Sequence, residues 1–143
     1  MAKPTYQDAS LMLQLAQWGA SIDLQAAQGW TWSDQFIPDY AEFTKQYPMP
    51  SEGALKVMKV CNYFETLGTL WKHGLLNEDL LFDWLAVSMV WERVKNIPLG
   101  MRQDSGNSRL YENFEALAKA NVAYDAKLAK PVRRTTRARR AKK

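Results

Sequence analysis

The sequence predicts an all-α fold, a compact bundle of about four to five helices followed by a basic C-terminal tail with no structure of its own. Three observations carry this expectation. Apolar residues recur every three or four positions through most of the chain, the spacing that aligns them on one face of a helix. Nowhere does the every-second-residue alternation of a half-buried strand compete with it. Gly and Pro number only seven and six in 143 residues, so turn signals are widely spaced and the elements between them long.

Leu11, Leu15, Trp18, Ile22 and Ala26 share one face of a first helix, predicted from about Asp8 to Gln28. Gly29 is placed as its stop, and Gly19 marks a point where it could divide. In "WTWSDQFIPDYAEFTKQYPMPSEG", Pro38 fits the first turn of a short helix carrying Tyr40, Phe43 and Tyr47, which Pro48 and Pro50 end. Ser51 then caps a helix reaching His73, with Val57, Val60, Cys61, Phe64, Leu67, Gly68 and Trp71 on its buried side and Gly74 as its stop.

Asn77 opens the next helix, with Glu78 and Asp79 in the first turn, where negative charge suits the helix dipole. It is apolar nearly all round as far as Ile97, the pattern of a central helix, and Pro98 and Gly100 should end it. "RQDSGNS" reads as a loop. Asn107 or Ser108 caps a last helix whose inner face is Leu110, Phe114, Leu117, Asn121, Tyr124 and Leu128.

The net charge of +4 conceals a strong asymmetry. The final stretch "KPVRRTTRARRAKK" holds eight basic residues and no acid, whereas residues 1–129 hold eleven basic and fifteen acidic residues, a net charge of −4. The chain therefore divides into a helical body, 1–129, and a tail, 130–143, too poor in apolar surface to order itself. Cys61 is the only cysteine, which excludes an internal disulfide and suits a reducing compartment. The opening "MAKPTYQDAS" has no apolar core or small-residue cleavage site, so no secretory signal is expected. The run from Leu80 to Trp91 is shorter than the roughly 18 residues of a membrane span, so a cytoplasmic location is expected.

No Gly-rich phosphate loop, nucleophile elbow, HExxH, C-x-x-C or calcium-loop pattern occurs. One His and one Cys cannot assemble a conventional zinc site, so no metal, no cofactor and no enzymatic activity are expected. His73, just before Gly74, reads as a helix C-terminal residue rather than a general base. Cys61, on the apolar stripe, reads as a small buried hydrophobe rather than a nucleophile.

Glu65, Glu92 and Glu115 lie on the shoulders of apolar stripes, and acids at the edge of a core are normally paired. Their expected partners are Lys72, Arg93, Arg102 and Arg109. Two readings fit these groups. Glu65, Glu92, Arg102 and Glu115 form an ion-pair network that holds helices in register, the favoured reading, or they converge on a pocket. Trp30 and Trp32, in a loop-like segment, are expected to cover the end of the bundle, the alternative being an exposed aromatic patch for a partner.

The stretch "YFETLGTLWKHGLLNEDLLFDWLAVSMVWERVKNIPLGMRQDSGNSRLYENFEALA" resembles a family of small bacterial helical proteins known only as a domain of unknown function. The resemblance covers about residues 57–118 and is carried by Phe64, Glu65, Gly68, Gly74, Trp91, Glu92, Arg102, Phe114 and Glu115. It implies the helical fold and a bacterial source, and no activity. Members of such a family often carry an N-terminal membrane helix, which is not expected here.

The function expected from these features is that of a non-enzymatic helical interaction module. Its tail, through Lys130, Arg133, Arg134, Arg137, Arg139, Arg140, Lys142 and Lys143, binds a polyanion without sequence specificity. Nucleic acid is favoured over an anionic membrane surface or an acidic protein. A small-molecule-binding or hydrolytic protein with a Glu/Arg pocket, and a self-associating assembly protein, are the alternatives.

Overall fold

The computed structural model describes residues 2–129, and the predicted tail lies outside them. Among the described residues the fold is all-helical, with eight helices and no strand. That exceeds the predicted four to five because two of the long predicted helices are divided. None of the eight is long and apolar enough to cross a membrane.

The first predicted helix becomes α1 (Tyr6–Ser21) and α2 (Leu24–Thr31). A reciprocal cap starts α1: the Thr5 hydroxyl accepts from the Asp8 amide, and the Asp8 carboxylate accepts from the Thr5 amide at 2.8 Å. The division falls at Ile22–Asp23, where Asp23 adopts a left-handed φ of 56°, and not at Gly19. Gly29 does not stop the helix but lies inside α2. The inner face rotates at the break, so Ala27 is buried and Ala26 exposed.

Helix α3 (Tyr40–Gln46) starts from Asp39, whose side chain accepts from the Glu42 amide at 2.9 Å, so Pro38 precedes the cap instead of sitting in the first turn. Helix α4 (Glu52–Lys72) has the predicted limits. Ser51 caps its start, His73 its end, and Gly74 takes the φ of 72° that turns the chain away.

The predicted Asn77–Ile97 helix is three elements, α5 (Glu78–Trp84), α6 (Val87–Val94) and α7 (Asn96–Ser105). Leu85 is extended and separates the first two. Pro98 does not end the helix. It occupies the first turn of α7, where its missing N–H costs least, and the backbone stays helical through Lys95. The predicted loop beginning at Arg102 is thus partly the end of α7, and Gly106, with φ 68°, stops it. A short turn leads into α8 (Glu112–Leu128).

Nor is the 77–97 segment the central helix. That place belongs to α4, which packs α2 on one side and α8 on the other, while α5 lies against α1, α6 against α8 and α7 against α3. A segment apolar all round has no single inner face, so each of its pieces serves a different neighbour. At the centre Phe64 stacks on Phe114 with ring centroids 5.1 Å apart, and Trp91 meets Phe114 edge-on at 5.0 Å. The Tyr63 hydroxyl donates to the Leu15 carbonyl at 2.7 Å and ties α1 to α4. Trp30, in α2, packs edge-on against Phe36 and Tyr47, whereas Trp32, at the end of α2, stays 51% exposed.

Candidate functional site

The start of α8 has no cap of its own. Tyr111 holds the capping position with φ 56°, and its side chain makes no capping bond. The first amides of a helix still need acceptors, and Glu65 of α4 supplies them. Its Oε2 accepts from the Phe114 amide at 2.8 Å, and its Oε1 accepts from Asn113 Nδ2 at 2.9 Å and from the Asn113 amide at 3.4 Å. The carboxylate also faces the positive end of the helix dipole.

One turn further along α4, Gly68 makes this approach feasible. A Cβ there would lie 2.3 Å from the Asn113 carbonyl oxygen. On the preceding turn Asn62 accepts from the Tyr111 hydroxyl at 2.9 Å. Asn62, Glu65 and Gly68 thus form one seat for the head of α8.

From the other side comes Arg102, in the last turn of α7, whose side chain is only 15% exposed. Its Nε donates to the Leu110 carbonyl and its Nη1 to Glu115 Oε2, both at 2.7 Å. Lys119 completes Glu115 with a contact of 3.0 Å. Nη2 of Arg102 is buried without a partner.

Burial pushes the Glu115 carboxyl up, but the hydrogen bonds and charges of Arg102 and Lys119 outweigh it and hold the group below the usual 4.5. A carboxyl with a lower pKa folded than unfolded contributes stability that is complete above the unfolded value and lost as pH falls through the folded one. Urea midpoints should therefore fall below about pH 4.5, and Glu115→Gln should make that fall shallower while lowering the neutral-pH midpoint. An unchanged acid limb in the variant would remove Glu115 from this role.

The structure brings Arg102 and Glu115 together and sets Glu65 at the same helix head. Glu92 stands apart, 65% exposed and paired with Lys95 at 2.6 Å. Of the four cations expected as partners, Arg102 alone pairs with one of these three acids among the described residues. Lys72 and Arg109 approach Glu112, and Arg93 donates to the Thr31 carbonyl at 2.6 Å while lying over the rings of Trp32 and Phe36.

His73 is an exposed helix end, and Cys61 is fully buried with its thiol pushed up to about 12, chiefly by that burial. Among the described residues no cluster of His, Cys, Asp and Glu could hold a metal ion. The eight tail cations lie outside the described residues.

Asn121 was expected only as a member of the inner face of α8. It is buried, and its Oδ1 accepts from the Ser88 amide at 3.0 Å, capping α6, whose own capping position is Ala86. A polar residue on an otherwise apolar stripe was the signal for it. Glu65 and Asn121 thus close helix starts that lack local caps, and Arg102 with Glu115 holds the turn between α7 and α8.

Comparison with curated proteins and with solved structures gives no match. A family model described as a domain of unknown function, DUF4760, matches residues 4–120, from the residue before the Thr5 cap to within α8, and so includes Glu65, Gly68, Arg102 and Glu115. The chain belongs to the DUF4760 family of domains of unknown function.

Proposed function

We propose that the protein is a non-enzymatic helical interaction module whose C-terminal segment holds a polyanion, nucleic acid foremost, by charge alone. The observation that carries this reading is the segregation of charge: eight cations and no acid in residues 130–143, against a net −4 over residues 1–129. The body's field cannot cancel such a segment beyond about one Debye length, roughly 8 Å at physiological salt. The body's net charge of −4 opposes a polyanion, so binding should depend chiefly on the last fourteen residues. Those residues contain no aromatic side chain to stack on bases or wedge between them, which argues for charge recognition without base readout.

The alternative of a catalytic or ligand pocket built from Glu65, Glu92, Arg102 and Glu115 draws little support from their geometry. Three of them are engaged with the head of α8 and the fourth with Lys95.

Fluorescence anisotropy with labelled RNA, labelled duplex DNA and anionic vesicles tests the proposal, using the intact chain and one ending at Ala129. The intact chain should bind nucleic acid at near-physiological salt, indifferent to base sequence. The slope of log affinity against log salt should approach at most about −6 on single strands and −7 on duplex. Absence of tail-dependent binding to all three would overturn the proposal, and binding to vesicles alone would move it from nucleic acid to membrane surfaces.

A further inference from the structure

Between α3, the start of α4 and α7 lies a cavity of about 210 Å³. Its floor is apolar and closed: Phe43, Ala54 and Ile97 are each only 3% exposed. Its two tyrosine walls are fixed at ring and hydroxyl alike. The Tyr40 ring lies so close to Gly100 of α7 that a Cβ there would come within 2.2 Å of it, and its hydroxyl donates to Asp104 at 2.6 Å. The Tyr47 ring lies on Gly53 of α4, where a Cβ would come within 2.5 Å, and its hydroxyl donates to the Gln35 carbonyl at 2.7 Å. Phe43 stands beside Tyr47 with ring centroids 5.3 Å apart. Both glycines lie inside helices, where alanine would be the better helix former, so these ring seats are kept at a cost in propensity.

The chemistry inside is uniform. Asp104 and Gln35, which take the tyrosine hydroxyls, are not part of the lining. The hydroxyl of Thr44, also in the lining, donates to the Ala41 carbonyl at 3.0 Å. None of the described residues that line the cavity is charged. Met49, Met58 and Met101 complete the walls, half of the chain's six methionines, and Met49 is 63% exposed at the mouth. Methionine adapts its shape to what it meets and packs favourably against aromatic rings. Close-packed interiors leave few voids larger than a water molecule. An apolar void of roughly 150 Å³ stays dry and admits benzene, so this one has room for a larger ring system.

We propose that this cavity binds an uncharged aromatic molecule of about the size of indole, packed between the tyrosine walls and the methionine side chains. An anion or cation would give up its water there without finding a partner. The site shares no residue with 130–143, so it stands or falls apart from any polyanion bound by that segment.

Indole and its anionic counterpart indole-3-acetate are the probes, titrated at constant ionic strength into the intact chain with isotope-labelled methionine methyl groups. Indole should give saturating NMR shifts at the methyls of Met49, Met58 and Met101, and leave those of Met12 in α1 and Met89 in α6 in place. Indole-3-acetate should bind at least about tenfold more weakly. Ala54→Leu raises the floor into the cavity and should abolish the shifts. Met49→Ala, at an exposed position outside the helices, opens the mouth and should weaken indole binding by about threefold, which keeps the test intact if the larger floor residue disturbs the fold. Absence of saturating shifts at the three methyls, equal shifts at Met12 and Met89, equal affinity for the two probes, or unchanged binding in both variants would each overturn the proposal.

Discussion

Glu65→Ala is expected to destabilise the protein by about 3 kcal/mol, because it strips the start of α8 of its acceptors and leaves the buried Phe114 amide without a partner. A loss of that size should lower the melting temperature by roughly 10 °C. Glu65→Gln keeps one carbonyl oxygen but turns an NH₂ group towards donors and removes the charge facing the helix dipole. It should cost less, about 1–2 kcal/mol. Urea denaturation of the two variants against the parent measures both values. Parental stability in both would mean that α8 is capped some other way, and the seat described for it would be wrong.

Gly68→Ala should cost about 2–3 kcal/mol, and its sign is the informative part. In an ordinary helix interior the same change stabilises by up to about 1 kcal/mol, since Ala is the better helix former. Here the new methyl would lie 2.3 Å from the Asn113 carbonyl oxygen and 2.5 Å from its carbon, and this is backbone that cannot swing aside. Helix α8 must move away from α4, lengthening the bonds from Glu65 to Asn113 and Phe114. The Glu65→Ala and Gly68→Ala losses should therefore sum to more than the loss in the double variant, because both act at one contact. A stabilising Gly68→Ala would show that α8 can retreat at little cost.

The resemblance to a helical family known only as a domain of unknown function was legible in the sequence, and the chain belongs to the DUF4760 family. Glu65, Arg102 and Glu115 could be singled out from the sequence, while their relationships, and the parts of Asn62, Asn113 and Asn121, could not. Glu65 was expected to meet a cation and instead meets backbone amides, because wheel geometry shows which side of α4 it occupies but not what arrives there. Glu92 shares the same kind of shoulder position and yet faces solvent with Lys95, since the shoulder it occupies on α6 is not covered by a neighbour.

What the sequence by itself determined is what depends on near neighbours along the chain. The helical class follows from periodicity. The limits of α4 follow from Ser51, whose hydroxyl caps the Ala54 amide three residues on, and from Gly74, whose positive φ needs no partner at all. The division of charge between residues 1–129 and 130–143 is a property of composition alone. Only the tertiary structure decided where the long apolar segments break and where α6 and α8 begin. Those starts are capped from 33 and 49 positions away, by Asn121 and Glu65. A uniformly apolar run carries no instruction about which neighbour each of its faces will meet. Its breaks are placed by the packing of α1, α3 and α8 around α4, and acceptors that arrive from another helix leave no mark in the local sequence they cap.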